Sequence, residues 1–179
     1  IVTGAKQLYI LRHAKSSWDD QLAPDHDRAL AARGRRAVVL IAEYMRDHEI
    51  DPQLVLCSSA RRTRETLEGV LPGHRGAQIE PGLYGASAGE LLDRLHRVPA
   101  AVSSVLVVGH NPSVQKLVLK LTGAAVPAGR WDEPESPLQL IERKFPTGAL
   151  ATLAFDGRWS DLSAGGARLI DYVRPKALA

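Results

Sequence analysis

Gln7-Leu8-Tyr9-Ile10-Leu11-Arg12-His13 is the stretch on which the fold turns. Its first five residues are dominated by apolar and β-favouring types, and the run then ends on a polar pair. That is the pattern of a buried parallel strand delivering a loop, so chemistry is expected at the strand's C-terminal end. Downstream, Leu30, Val38, Ile41, Ala42 and Met45 recur at helical spacing while Arg33, Arg35, Arg36, Glu43 and Arg46 take other faces. The segment 29–48 therefore reads as a long amphipathic helix.

The same alternation repeats. Leu54-Val55-Leu56-Cys57 is a second apolar run, followed by Ser58-Ser59 and a helical segment over 61–70 that the serines are placed to cap. Val105-Leu106-Val107-Val108 leads through Gly109-His110-Asn111-Pro112 into a helix over 113–122, and a further helix is expected over 88–97. One more strand is expected over 149–155, with a weaker candidate for an edge strand over 169–173. Short apolar strands alternating with amphipathic helices specify a mainly parallel sheet covered on both faces, a three-layer α/β/α sandwich.

A chain of 179 residues, 45% apolar and 24% charged, fits one globular domain over 1–179. Residues 1–7 lack a signal-peptide pattern, and no run approaches the roughly 20 apolar residues that span a bilayer. A cytoplasmic protein without membrane contact is expected. The single cysteine, Cys57, rules out an intramolecular disulfide and reads as a small buried strand residue. Net charge is +3, with basic clusters at Arg33/Arg35/Arg36 and Arg61/Arg62/Arg64. The first is not interleaved with aromatics or with a known nucleic-acid motif, so a solvated helix face is favoured for it over a nucleic-acid surface. The proline-rich stretch 124–148, with Pro127, Pro134, Pro137 and Pro146, is long enough to be either a lid at the active-site rim or a surface excursion.

Three strand ends thus deliver Arg12-His13, Ser58-Ser59 with Arg62 just beyond, and Gly109-His110 to one edge of the sheet. Two guanidiniums and two imidazoles suit phosphoryl transfer. Arginine binds phosphate oxygens with forked geometry and permanent charge, and imidazole can act as nucleophile or donor. Neither a metal nor a cofactor is required by this scheme. His26, His48, His74 and His96 have no such context and are expected at the surface or at helix ends.

Leu11-Arg12-His13-Ala14-Lys15-Ser16-Ser17-Trp18-Asp19 resembles the Arg-His-Gly/Ala motif of the histidine phosphatase superfamily, which includes the phosphoglycerate mutases. Asp27-Arg28-Ala29-Leu30 with Gly34 is similar to its Asp-x-x-Leu-x-x-x-Gly segment. Ser58 to Thr66 matches its Ser-x-x-x-Arg-x-x-x-Thr helix entry, and Val107 to Asn111 its Val-x-Gly-His-Asn strand end. The four motifs stand in the family's order, and the short SixA-like phosphohistidine phosphatase branch is the nearest in pattern. The resemblance implies a phosphoglycerate mutase-like fold in which His13 attacks phosphorus, Arg12 and Arg62 clamp the phosphoryl oxygens and His110 donates to them.

The resemblance also makes Ser16, Asp19 and Asn111 candidate substrate contacts. For Ser16 and Asp19, loop capping is the alternative. Ser58 is either a helix cap or a phosphate ligand, and Tyr84 either a pocket wall or a packing residue. Many relatives carry a glutamate acid after the third strand; here the stretch reads Ile79-Glu80-Pro81-Gly82-Leu83-Tyr84, so Glu80 is either a displaced acid or a solvated carboxylate. A phosphohistidine leaves as imidazole and depends less on a strong acid than an alkoxide does. The expected substrate is therefore protein phosphohistidine, with a small phosphorylated metabolite or a catalytically silent phosphate-binding domain as alternatives. Oligomeric state is not legible.

Overall fold

The computed structural model describes residues 4–123 and 134–179. A six-stranded sheet in the order β3-β2-β4-β1-β5-β6 forms its centre. The strands are β1 (Lys6–Arg12), β2 (Leu54–Ser58), β3 (Ala77–Glu80), β4 (Ser104–Gly109), β5 (Leu150–Phe155) and β6 (Arg168–Val173). Strands β3, β2, β4 and β1 run parallel, whereas β5 lies antiparallel to both β1 and β6. The mainly parallel sheet is thus as expected, with β6 at one edge and β3 at the other.

Strand periodicity divides the core. Leu8, Ile10, Val105 and Val107 face one layer, which contains α3 (Ala88–His96), α4 (Ser113–Thr122) and α5 (Pro137–Arg143). Tyr9, Leu11, Leu106 and Val108 face the other, formed mainly by α1 (Ala32–Asp47) and α2 (Arg61–Val70), with α6 (Pro175–Leu178) at its margin. Two apolar layers on one sheet make the three-layer sandwich and leave the strand ends as the place for polar chemistry.

Two sequence expectations need correction, and one strand was not anticipated. The stretch 124–148 contains α5, whose Ser136 N-cap accepts from the Gln139 amide while Pro137 occupies the first helical position. Pro127, and with it any lid role for 124–133, lies outside the described residues. The start of α2 has Ala60 at the N-cap and no side-chain cap, because Ser58 and Ser59 are engaged elsewhere. Strand β3 lacks a continuous apolar signal because it is a four-residue edge strand with Gln78 and Ile79 exposed.

Positioning of the site begins with Gly34 on α1. A Cβ there would stand 2.2 Å from the Lys15 carbonyl oxygen, so only glycine lets α1 approach the segment after His13 this closely. That segment is also laced to the entry of α1, with the Ser17 amide donating to Ala29 O and the Ala31 amide to Lys15 O, each at 2.8 Å. Gly34→Ala is expected to lower stability by about 1–3 kcal/mol through overpacking, read as a lower denaturant midpoint; an unchanged midpoint would contradict the close-approach role.

Candidate active site

His13 follows the last residue of β1, and its backbone is held from two sides. Its amide donates to Gly109 O at the end of β4 (3.1 Å), and the Gly148 amide donates to the carbonyls of Arg12 and His13 (3.1 Å each). The side chain is 8% exposed, and Nδ1 lies 2.7 Å from Ala14 O. A carbonyl oxygen only accepts, so Nδ1 carries the ring proton and the Nε2 lone pair is free.

The His110 ring lies 5.2 Å from that of His13, centroid to centroid. Its Nε2 is 2.8 Å from Ser58 Oγ, which also accepts from the Ala60 amide. The hydroxyl keeps one proton and a second lone pair, so it can donate to Nε2 or accept from it. With Ser58 donating, the proton of neutral His110 sits on Nδ1, a buried atom with no hydrogen-bond partner among the described residues. Arg12 Nε is likewise buried and unpartnered, while Arg12 Nη1 donates to Phe145 O at 2.9 Å. Orphaned donors on Arg12 and His110 are costly unless a ligand supplies acceptors.

Burial and the surrounding cations keep both imidazoles uncharged. Desolvation, with lesser contributions from His110, Arg62 and Arg12, pushes the His13 pKa down to about 3, against an opposing contribution from the Ala14 hydrogen bond. Burial first and Arg62 second lower His110 to about 4. Arg12 is lowered by burial and by its neighbour Arg62. Two like charges are being held together in a partly desolvated place, the arrangement that attracts a dianion.

Arg62, in the first turn of α2, is buried. Its Nη1 donates to Asp25 O at 2.7 Å and its Nη2 to Asp25 Oδ2 at 3.0 Å. Asp25 opens a short 3-10 turn, Asp25–Asp27, and its carboxylate also accepts from Arg28 Nη1 (2.9 Å) and Tyr84 OH (2.6 Å). The Tyr84 hydrogen bond is the largest influence holding the Asp25 carboxyl below the ordinary carboxylate range, with Arg62 and Arg28 adding to it. Tyr84 packs edge-on against both His26 and His110.

The structure therefore brings Arg12, His13, Arg62, His110 and Tyr84 together. Ser58 is fully buried and orients His110 rather than reaching the cleft. Ser16 is buried and its hydroxyl accepts from Arg28 Nη2. Asn111 Nδ2 donates to Phe145 O at 3.0 Å, the carbonyl that also receives Arg12. Ser16, Ser58 and Asn111 thus hold other site groups, while Asn111 Oδ1 is buried without a partner among the described residues. Asp19 is exposed, and its amide donates to Ser17 Oγ, the loop-capping arrangement. Both Glu80 carboxylate oxygens accept from Arg94 Nε, at 2.7 and 3.1 Å, so Glu80 belongs to an ion pair on β3 and α3.

Sequence reasoning missed Asp25, His26 and Arg28 as members of the site. His26 joins through Ser59 Oγ, 2.9 Å from its Nε2. The available signal was the dense polar run Asp25-His26-Asp27-Arg28 after Pro24, half of it already inside a family motif.

Residues 8–100 match the model of the histidine phosphatase superfamily (branch 1). An uncharacterized protein of Mycobacterium tuberculosis is 37% identical over 175 residues, covering 93% of this chain and 100% of its own. Among solved structures, that of a candidate phosphohistidine phosphatase SixA from Nakamurella multipartitia is 34% identical with a TM-score of 0.81, covering 97% of this chain and 98% of its own. The protein histidine phosphatase SixA complexed with tungstate is 26% identical with a TM-score of 0.73, covering 97% and 99%. The chain belongs to the histidine phosphatase superfamily. Its similarity within that superfamily is to the SixA-like phosphohistidine phosphatases.

A depressed imidazole pKa means that the folded state resists protonation while the unfolded chain takes up its proton near the ordinary value of about 6.5. The stability tied to neutral His13 and His110 is therefore full above that value and declines as pH falls towards about 4 and about 3. In NMR titrations of folded protein, His13, assigned by its loss in His13→Gln, is expected to stay neutral down to pH 5; a midpoint near 6.5 would contradict the buried neutral imidazole.

Proposed function

We propose that the protein is a phosphohistidine phosphatase that transfers the phosphoryl group of a phosphorylated protein to His13 Nε2 and then to water. The observation that carries the reading is the buried, neutral His13, fixed through Nδ1 so that Nε2 remains free, within a cluster containing two guanidiniums. In the first step a bond forms between Nε2 and phosphorus while the bond from phosphorus to the substrate imidazole breaks, its electron pair returning to that ring. The departing ring is a neutral imidazole when its other nitrogen already bears a proton. In the second step water attacks phosphorus, the electron pair of the P–Nε2 bond returns to His13, and phosphate departs.

Arg12 and Arg62 hold the equatorial oxygens, and the unpartnered His110 Nδ1–H donates to the charge that builds on them. His110, oriented by Ser58, is ready for this without rearrangement. Tyr84 forms the rim.

One feature favours an N-phosphorylated substrate over a phosphate ester. Glu80 is committed to Arg94 and so is not a free acid to protonate an alkoxide. Metal-independent turnover in the cytoplasm is part of the same proposal. Among the described residues no helix is long and apolar enough to cross a membrane, and no group of three or more His, Cys, Asp or Glu residues is placed to hold a metal ion.

The test is phosphate release from a phosphohistidine peptide and from a panel of phosphomonoesters, with EDTA present. Preferred, EDTA-insensitive release from phosphohistidine is expected, abolished in His13→Ala and reduced about 10²–10³-fold in kcat/KM in Arg62→Ala. Glu80→Gln is expected to turn over near the wild-type rate. Preference for one ester with a large loss in Glu80→Gln would replace this reading with a metabolite phosphatase, and no His13-dependent release from any substrate would leave a phosphate-binding domain.

A further inference from the structure

Asp25 is a carboxylate in a site built to receive an anion, and its charge would repel a phosphoryl group unless it were spent on something else. All its contacts point to what that is. Oδ2 accepts from Arg62 Nη2 at 3.0 Å and from Tyr84 OH at 2.6 Å, Oδ1 accepts from Arg28 Nη1 at 2.9 Å, and the backbone carbonyl accepts from Arg62 Nη1 at 2.7 Å. Arg62 is thus gripped through both terminal nitrogens by one residue, which leaves its Nε and its remaining Nη hydrogens for a ligand.

The grip extends to the loop that follows the nucleophile. Arg28, fixed by Asp25, donates through Nε to Ser17 O at 3.2 Å and through Nη2 to Ser16 Oγ, so one carboxylate ties the start of α2, the segment 16–17 and Tyr84 together. The Asp25 side chain itself is 51% exposed. Ion pairs this open to water contribute little to stability, so folding does not explain why so many donors converge on it.

We propose that Asp25 is a positioning residue that aims Arg62 at the phosphoryl group and so acts on catalysis through that guanidinium. This rests on the phosphoryl-transfer reading of the site. A long guanidinium side chain loses rotational freedom when it clamps an oxyanion, and Asp25 removes that freedom before the ligand arrives. The lowered Asp25 pKa agrees with a carboxylate that stays ionised wherever the enzyme works.

A double-mutant cycle read by tungstate affinity tests this, because tungstate reports the oxyanion site whatever the natural substrate is. Asp25→Ala and Arg62→Ala are each expected to weaken tungstate about tenfold, and the double variant no more than Arg62→Ala alone. The melting temperature of Asp25→Ala should stay close to wild type. Losses that add in the double variant would mean Asp25 acts independently of Arg62, and tighter tungstate binding by Asp25→Ala would make it a repelling charge; either overturns the proposal. Should Asp25→Ala fail to fold, the near-isosteric Asp25→Asn carries the same cycle. Absence of turnover on every phosphorylated substrate would remove the phosphatase reading while leaving the cycle interpretable.

Discussion

A hydrogen bond of 2.7 Å between His13 Nδ1 and the carbonyl of its own neighbour, Ala14, sets what the rest of the site can do. An imidazole presents a lone pair to a substrate only if its proton is held on the other nitrogen, and only if it has not gained a second proton. The first condition is met by the Ala14 carbonyl and the second by burial among cations. Both depend on the backbone around His13 being immobile. Gly109 at the end of β4, Gly148 before β5 and the close approach of Gly34 supply that immobility.

Charge is organised around this ring in two tiers. Arg62 is close enough to disfavour the charge on Arg12, and fixed partners stand behind both: Phe145 O for Arg12, and Asp25 for Arg62. Asn111 and Ser58 secure the Phe145 carbonyl contact and the His110 ring. Preorganised donors that need not reorient during reaction are the most effective means of stabilising transferred charge. Ser58, Asn111 and Asp25 all hold such donors in place.

The sandwich was legible in the sequence because its signals are local. The apolar runs at Leu8-Tyr9-Ile10-Leu11 and Val105-Leu106-Val107-Val108 and the helical stripes of α1 and α4 follow from periodicity alone. Arg12, His13, Arg62 and His110 were legible because each lies at or near a strand end. The supporting groups were not, because their roles arise from tertiary approach. Nothing local places Asp25 against Arg62, 37 residues away, or Tyr84 against Asp25, 59 residues away. Ser58 and Ser59 look like helix caps until the partners that engage them, His110 and His26, are in view. Glu80 looks available until Arg94 is brought beside it across β3 and α3.

The most direct measurement on the central claim is to trap the covalent intermediate. Enzyme mixed with a phosphohistidine peptide is quenched in alkali within milliseconds, where N-bound phosphate survives, then digested and mapped by mass spectrometry. The account predicts phosphate on His13, formed and lost at rates compatible with turnover. Phosphate on another residue, or turnover that persists in His13→Ala without any trapped intermediate, would contradict it.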